Sequence, residues 1–299
     1  MTGGGRDRRH PHRPLVPEQI ADFLGDRAIV SSDLLPGGKS NSNYRLLLSD
    51  GSDCVLRLLS ARNASREAHL IEMAGELVPV PKVLSADSDW IALEFIPGRP
   101  LQCNPHELLQ AGEVIARLQT RRFDCAGWIE ADGSVTAFDF PEGDFTATML
   151  GRDDVRAWLG EELADATARM IEQTLHLRDG LSDPRLVHGD FNPPNIVVRD
   201  GRIAAVLDWE FAHAGTRWMD VGNLLRHAPR ELWEHVRQGL EQGGATLPED
   251  WQARAELVDL SSALEFLASG RSDDFKRRCV RRLEGLVERY STLRWRGDN

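Results

Sequence analysis

The 299-residue sequence predicts an α+β protein of two lobes, a strand-rich N-terminal one and a mainly helical C-terminal one. Three observations carry that expectation. Short apolar or alternating runs, punctuated by Gly37–Gly38 and Asp50–Gly51, fill the stretch up to residue 96. Asp-Gly between two such runs signals a hairpin, because both central positions of that turn favour positive φ. From about Pro105 the apolar residues recur at helical spacing instead, and a single crossing at Pro97–Gly98 separates the two patterns.

Taken in order, residues 1–14 (MTGGGRDRRHPHRP) are basic, lack the apolar stretch of a signal peptide and are expected to form a disordered leader. Residues 15–96 make the expected first lobe. It opens with a short helix over 15–25, begun at Pro17 and closed at Gly25. Strands are expected in SSDLLPGG, NYRLLLSDG and DCVLRLL, and then a helix from Ser65 to Leu77 with Ala68, Ile71, Ala74 and Leu77 on one face. PVPKVL and DWIALEFI complete the lobe as two more strands. Residues 97–299 make the second lobe, with amphipathic helices in HELLQAGEVIARLQ, from Arg152 to about Leu177, and over 230–242, 252–268 and 272–294. Between them IVVRD and IAAVLDW read as two short strands turned at Asp200–Gly201.

Composition narrows the function. With 36 basic and 47 acidic residues the net charge is −11, which disfavours a nucleic-acid partner. No apolar run approaches the roughly 18 residues of a membrane span. Cys54, Cys103, Cys125 and Cys279 are isolated, without metal-ligand spacing, and are expected to be reduced thiols in the cytoplasm. The acidic charge is uneven: residues 124–165 hold eleven Asp and Glu against Arg152 and Arg156. Such a segment either steers a cationic partner or is solvated surface.

The chemistry concentrates in LVHGDFNPPNIVVRDGRIAAVLDWEFAHAG, residues 186–215. His188, Gly189 and Asp190 end an apolar run, Asn195 follows five residues after Asp190, and the Asp-Gly turn brings Asp208 back towards Asn195. Two carboxylates and a carboxamide oxygen in one small volume are hard oxygen donors. They suit magnesium, which keeps several waters and takes further oxygens from substrate phosphates.

HGD-x4-N followed by this second Asp resembles the catalytic core of the aminoglycoside phosphotransferase and choline kinase superfamily, kinase-like enzymes related to the protein kinases. The resemblance runs from about residue 30 to 230 and implies a bilobal protein-kinase-like fold. It also implies transfer of a phosphoryl group from ATP or GTP, with Mg2+, to a small-molecule hydroxyl. PGGKSNSNYRL resembles the nucleotide-covering loop, which makes Gly38, Ser40, Asn41 and Asn43 expected nucleotide contacts. CVLRL and SREAHLIEMAG resemble the strand and helix of the phosphate-binding base and its orienting glutamate, Glu67. WIALEFIPGRPL resembles the linker that meets adenine, with backbone at Glu94 and Ile96. By the same resemblance Asp190 serves the acceptor hydroxyl, Asn195 and Asp208 hold magnesium, and His188 and Asp220 brace the loop. One departure stands out: Arg57 occupies the place of the family's lysine, and Lys39 is a second cation that could meet phosphate.

Three rivals are weaker. A metal-dependent phosphoesterase would use His188, Asp190, Asp208 and His213 as ligands, but has few histidines to draw on. A non-catalytic kinase-like module would have lost one of the three central residues, and a protein kinase would carry an arginine after the loop His. The superfamily's acceptors include aminoglycosides, other hydroxylated antibiotics, choline-like amino alcohols, sugars and homoserine. The acidic segment favours a cationic one.

Overall fold

Alternation of burial builds the sheet of the first lobe. The computed structural model describes residues 10–36, 40–60, 63–139, 145–178 and 182–291. Strands β1 (Ile29–Leu34), β2 (Ser42–Leu48), β3 (Asp53–Leu58), β4 (Val83–Ala86) and β5 (Trp90–Glu94) form one antiparallel sheet in the order β1-β2-β3-β5-β4. Leu46, Leu48, Leu56 and Leu58 point inward at period two and pack with Trp90 and with Ile20 and Leu24, the latter on helix α1 (Ala21–Leu24). Helix α2 (Ala64–Gly75) packs on the sheet through Ala64, beside Leu59 and Ile91, turns Leu70, Ile71 and Ala74 into the core shared with the second lobe, and ends two residues before the expected Leu77.

Two details of this lobe depart from expectation. Only Gly51 has positive φ in the first hairpin; Asp50 instead uses its carboxylate to accept from Ser52 N at 2.9 Å, an Asx-type turn. The expected leader is not loose at its end. Arg13 N donates to Ser42 Oγ at 2.9 Å, Arg13 Nη1 to Leu59 O at 2.6 Å and Arg13 Nη2 to Asp89 Oδ2 at 2.7 Å. The Arg13 backbone thereby ties the chain to the start of β2, and its guanidinium joins the residue after β3 to the turn before β5.

The crossing enters the second lobe as a strand. β6 (Arg99–Pro100) pairs with β10 (Ile196–Arg199), which pairs with β11 (Arg202–Val206). Here Asp200 and Gly201 both take positive φ, 52° and 74°, as an Asp-Gly hairpin requires. A second sheet was not expected: β7 (Gly127–Ile129), β8 (Val135–Ala137), β9 (Arg185–Val187) and β12 (His213–Gly215), in the order β8-β7-β12-β9. Each strand has three residues, too few for alternation to show.

The helices are α3 (Pro105–Leu118), α4 (Phe145–Leu150), α5 (Asp153–Gln173), α6 (Leu175–Arg178), α7 (Trp218–Leu225), α8 (Trp233–Gln242), α9 (Trp251–Val258), α10 (Leu260–Ala268) and α11 (Asp273–Tyr290). The helix expected over 152–177 is broken at Gly160, which has φ 72°, and that over 252–268 divides at the buried Asp259. One core surrounds Trp209 between α3, α7, α8 and the β10–β11 ribbon, and another fills the bundle of α4–α6, α10 and α11. Among the described residues no helix is long and apolar enough to cross a membrane.

Candidate active site

β9 delivers the chain into the loop that starts at His188, and α7 holds that loop from behind. Asp220, fully buried on α7, accepts from His188 N at 2.8 Å and from Gly189 N at 2.9 Å. Burial raises its carboxyl above the ordinary value, against the pull of His188 and these two donors. Asn223, one turn on, accepts from Phe191 N at 3.2 Å. Gly189 has φ 79°, and a Cβ there would lie 2.5 Å from Phe211 O, so conformation and space both require glycine.

His188 has both ring nitrogens engaged. Nδ1 accepts from Asp190 N at 3.2 Å, so Nε2 carries the proton it donates to Leu207 O at 2.8 Å. The ring therefore links the Asp190 loop to the Asp208 loop and packs on Trp209. Asn195 Nδ2 donates to Asp190 O at 2.9 Å and to Asp190 Oδ2 at 3.0 Å, which leaves its Oδ1 as the donor atom for a cation. Leu207 N donates to Asn195 O at 2.8 Å, so the hairpin returns Asp208 beside Asn195 as its spacing predicts. Asp208 itself holds φ 69°, the left-handed region.

The first lobe reaches this point through Arg57. Its Nη2 lies 2.5 Å from Asp208 Oδ1, its Nε 3.0 Å from Glu67 Oε1, and Glu210 Oε2 is 3.8 Å away. The Glu67 contact is an ion pair by distance without the alignment of a hydrogen bond. Three carboxylates thus surround one buried guanidinium. Burial pushes the Glu67 carboxyl up to about 7, partly countered by Arg57. Negative charge in excess around hard oxygen atoms is the setting a divalent cation fits. Among the described residues no group of three or more His, Cys, Asp or Glu side chains is gathered as a ligand set, and the protein donors at hand are Asn195 and Asp208. Magnesium characteristically completes such a partial set with water and phosphate oxygens.

The other expected contacts divide. Asn41 Oδ1 accepts from Ser60 N at 2.9 Å and its Nδ2 donates to Glu210 Oε2 at 2.9 Å, so it ties the loop root to both lobes. Asn43 sits opposite Arg57 across β2 and β3, with its Oδ1 buried. Ser40 is half-buried at the loop's end, and Glu94 and Ile96 are half-buried where β5 leaves the sheet. Gly38 and Lys39 lie outside the described residues. The phosphoesterase ligand set does not form. His188 is committed as above, while His213 is buried against Trp128 and Phe138 with Nδ1 donating to Phe211 O at 2.8 Å.

Comparison with known proteins gives this arrangement its class: the phosphotransferase enzyme family (APH) matches residues 33–257. The chain belongs to this family. As a phosphotransferase of the APH family it is a small-molecule kinase. No curated protein matches it. Among solved structures it is similar to a candidate fructosamine-3-kinase of Thermobifida fusca, with TM-score 0.69, 22% identity, 91% of this chain and 98% of that one covered. It is also similar to the macrolide 2'-phosphotransferase MphH of Brachybacterium faecium, with TM-score 0.64, 21% identity and coverage of 89% and 95%. A thermostable mutant of aminoglycoside phosphotransferase APH(4)-Ia, in ternary complex with AMP-PNP and hygromycin B, gives TM-score 0.65, 17% identity and coverage of 92% and 98%. These likenesses carry the kinase-like α+β fold.

Three residues of this APH phosphotransferase escaped the sequence reading. Glu210 adds a carboxylate two positions after Asp208, and its only signal was that spacing. Asn192 Nδ2 donates to Asp190 Oδ1, while Asn192 Oδ1 accepts from Arg226 Nη2 at 2.9 Å. Arg226 in turn grips the buried Asp259 at 2.7 Å. The orientation of Asp190 is thereby referred back to the start of α10.

Proposed function

We propose that this phosphotransferase moves the γ-phosphoryl group of ATP or GTP, bound with magnesium, to the hydroxyl of a small molecule, with Asp190 facing the acceptor. The observation that supports it most is the division of labour between two carboxylates. Among the described residues the Asp190 carboxylate is held by carboxamide donors, Asn192 and Asn195, whereas Asp208 is held by the cation Arg57. The first is equipped to take a hydrogen bond from a hydroxyl and aim it; the second belongs to the charged nucleotide side. Magnesium held by Asn195 and Asp208 would neutralise phosphate charge, and the chain's own work is positioning. Arg57 would take the role of the phosphate-binding base, and Ser40, Asn41 and Asn43 would line the nucleotide, with adenine at the backbone of Glu94 and Ile96.

For the acceptor, we read a cationic small molecule, of the aminoglycoside type among others, in a cytoplasmic enzyme whose four cysteines are free thiols. Part of the acidic segment is already used: Asp154, Glu161 and Asp165 pair with Arg152 and Arg156, and Asp132 closes the β7–β8 turn. Asp124, Glu130, Asp139, Asp153 and Glu162 form no salt bridge among the described residues and are the carboxylates left for such a ligand; Glu142 and Asp144 lie outside the described residues. The test is nucleotide consumption against a panel of hydroxylated antibiotics, amino alcohols and sugars. Asp139→Asn with Asp153→Asn should raise the acceptor KM and flatten its salt dependence. A neutral best acceptor would overturn the cationic assignment, and nucleotide-independent release of phosphate from esters would overturn the kinase assignment.

A further inference from the structure

Arg66, one residue before Glu67 on α2, turns its guanidinium into three backbone carbonyls. Nε donates to Ile129 O at 2.7 Å, Nη1 to Glu210 O at 3.0 Å and Nη2 to Ala212 O at 2.6 Å. Ile129 ends β7, and Glu210 and Ala212 belong to the turn directly after Asp208. The guanidinium also stands 5.4 Å from the ring centre of Trp128. Desolvation lowers the pKa of Arg66, an effect that the nearby Glu130 and Glu67 carboxylates counter only in part. A half-buried arginine spent on carbonyls holds backbone in place.

The backbone it holds is the one that needs holding. Asp208 sits at φ 69°, a left-handed conformation that costs a non-glycine residue free energy and that its surroundings must support. The same turn abuts the catalytic loop, since Phe211 O fills the space beside Gly189. Helix α2 therefore meets the Asp208 loop twice: side chain to side chain through Glu67, Arg57 and Asp208, and side chain to backbone through Arg66.

We propose that Arg66 is a positioning residue for the metal-binding loop, which it fastens to α2 so that the Asp208 carboxylate is set for magnesium before nucleotide arrives. The inference rests on the reading of Asp208 as a metal ligand, and the experiment separates the two. Binding of AMP-PNP to the full chain is measured by calorimetry over a range of magnesium concentrations; no acceptor is needed. Arg66→Met keeps the apolar stem and removes the donors. It should raise the half-saturating magnesium concentration roughly tenfold or more, the scale of losing an outer partner of a metal ligand. Binding of the metal-free nucleotide should stay within about twofold, and Arg66→Lys, with fewer donors, should fall between. Trp128→Leu, which removes the ring but no carbonyl bond, should leave the magnesium dependence unchanged. If Asp208→Asn moves the magnesium dependence and neither Arg66 variant does, the inference falls alone. If the Arg66 variants lose affinity equally with and without magnesium, Arg66 merely joins the lobes and the inference also falls. If Asp208→Asn itself changes nothing, the metal reading falls and takes the inference with it. Should Arg66→Met fail to fold, Arg66→Lys decides.

Discussion

Arg57 and Asp208, 151 residues apart in the chain, meet with Nη2 2.5 Å from Oδ1, while Nε of the same guanidinium faces Glu67 at 3.0 Å. A planar fork can address both carboxylates at once; a lysine ammonium on its flexible stem presents a single point. Arginine here is a bridge between α2 and the Asp208 loop, a role a lysine would fill less completely.

Arg57→Ala should raise the nucleotide KM and lower turnover together. Losing charge-assisted bonds of about 1.5–3 kcal/mol corresponds to roughly 10- to 100-fold in kcat/KM. Arg57→Lys should recover part of the turnover and less of the affinity. Lys39→Ala should cost less than either. Steady-state kinetics at saturating acceptor give the ranking, and a larger loss in Lys39→Ala would show that the loop lysine carries the phosphates.

Asp190→Asn should cut turnover by roughly 10²–10⁴, the usual weight of a positioned base, with nucleotide affinity nearly unchanged. Asp208→Asn should weaken magnesium-nucleotide binding as well as turnover. Equal losses of nucleotide binding in the two variants would show that the carboxylates do not divide acceptor from metal.

Asp220→Ala removes the acceptor of two buried N–H groups, His188 N and Gly189 N. Each unsatisfied donor costs about 1–3 kcal/mol, so the unfolding free energy should drop by several kcal/mol, read as a lower urea midpoint, with turnover lost besides. A wild-type midpoint in this variant would mean that the loop holds its shape without α7.

His213 gives the fold an acid limit. Burial drops its pKa from 6.5 to about 4, because the ring lies among Trp128, Phe138 and backbone with no room for a hydrated charge. Unfolded, the same ring takes a proton below about pH 6.5, so between 6.5 and 4 the unfolded chain binds more protons and stability falls as pH falls. The full loss is on the order of 3 kcal/mol. His213→Phe should flatten that stretch of the stability-versus-pH curve in chemical denaturation; a curve parallel to wild type would place the acid sensitivity elsewhere.

The centre of the site was legible because its residues lie close together in sequence. His188, Gly189, Asp190 and Asn195 span one loop, and an Asp-Gly turn with both residues at positive φ returns Asp208 to it. The sheet of β7, β8, β9 and β12 was not legible, since strands of three residues carry no period and their partners come from residues 127, 187 and 213. Arg66 was invisible for another reason. A basic residue on an amphipathic helix reads as solvated, and its partners are carbonyl groups, which every residue has. Arg13 was lost inside a stretch whose composition reads as leader, although one guanidinium with carbonyl and carboxylate partners is enough to pin it.

Gly98 lies so close to β10 that a Cβ would stand 2.7 Å from Val198 O and press on Val197. Three residues on, Leu101 N donates to Pro193 O at 3.2 Å and to Ile196 O at 2.9 Å, on either side of Asn195. The crossing is therefore stitched to the very segment that presents Asn195, and only the few residues between Glu94 and Gly98 separate the sheet of the first lobe from that seam. A shift of the crossing would therefore reach the Asn195 turn directly, through Leu101 N and its two carbonyl acceptors.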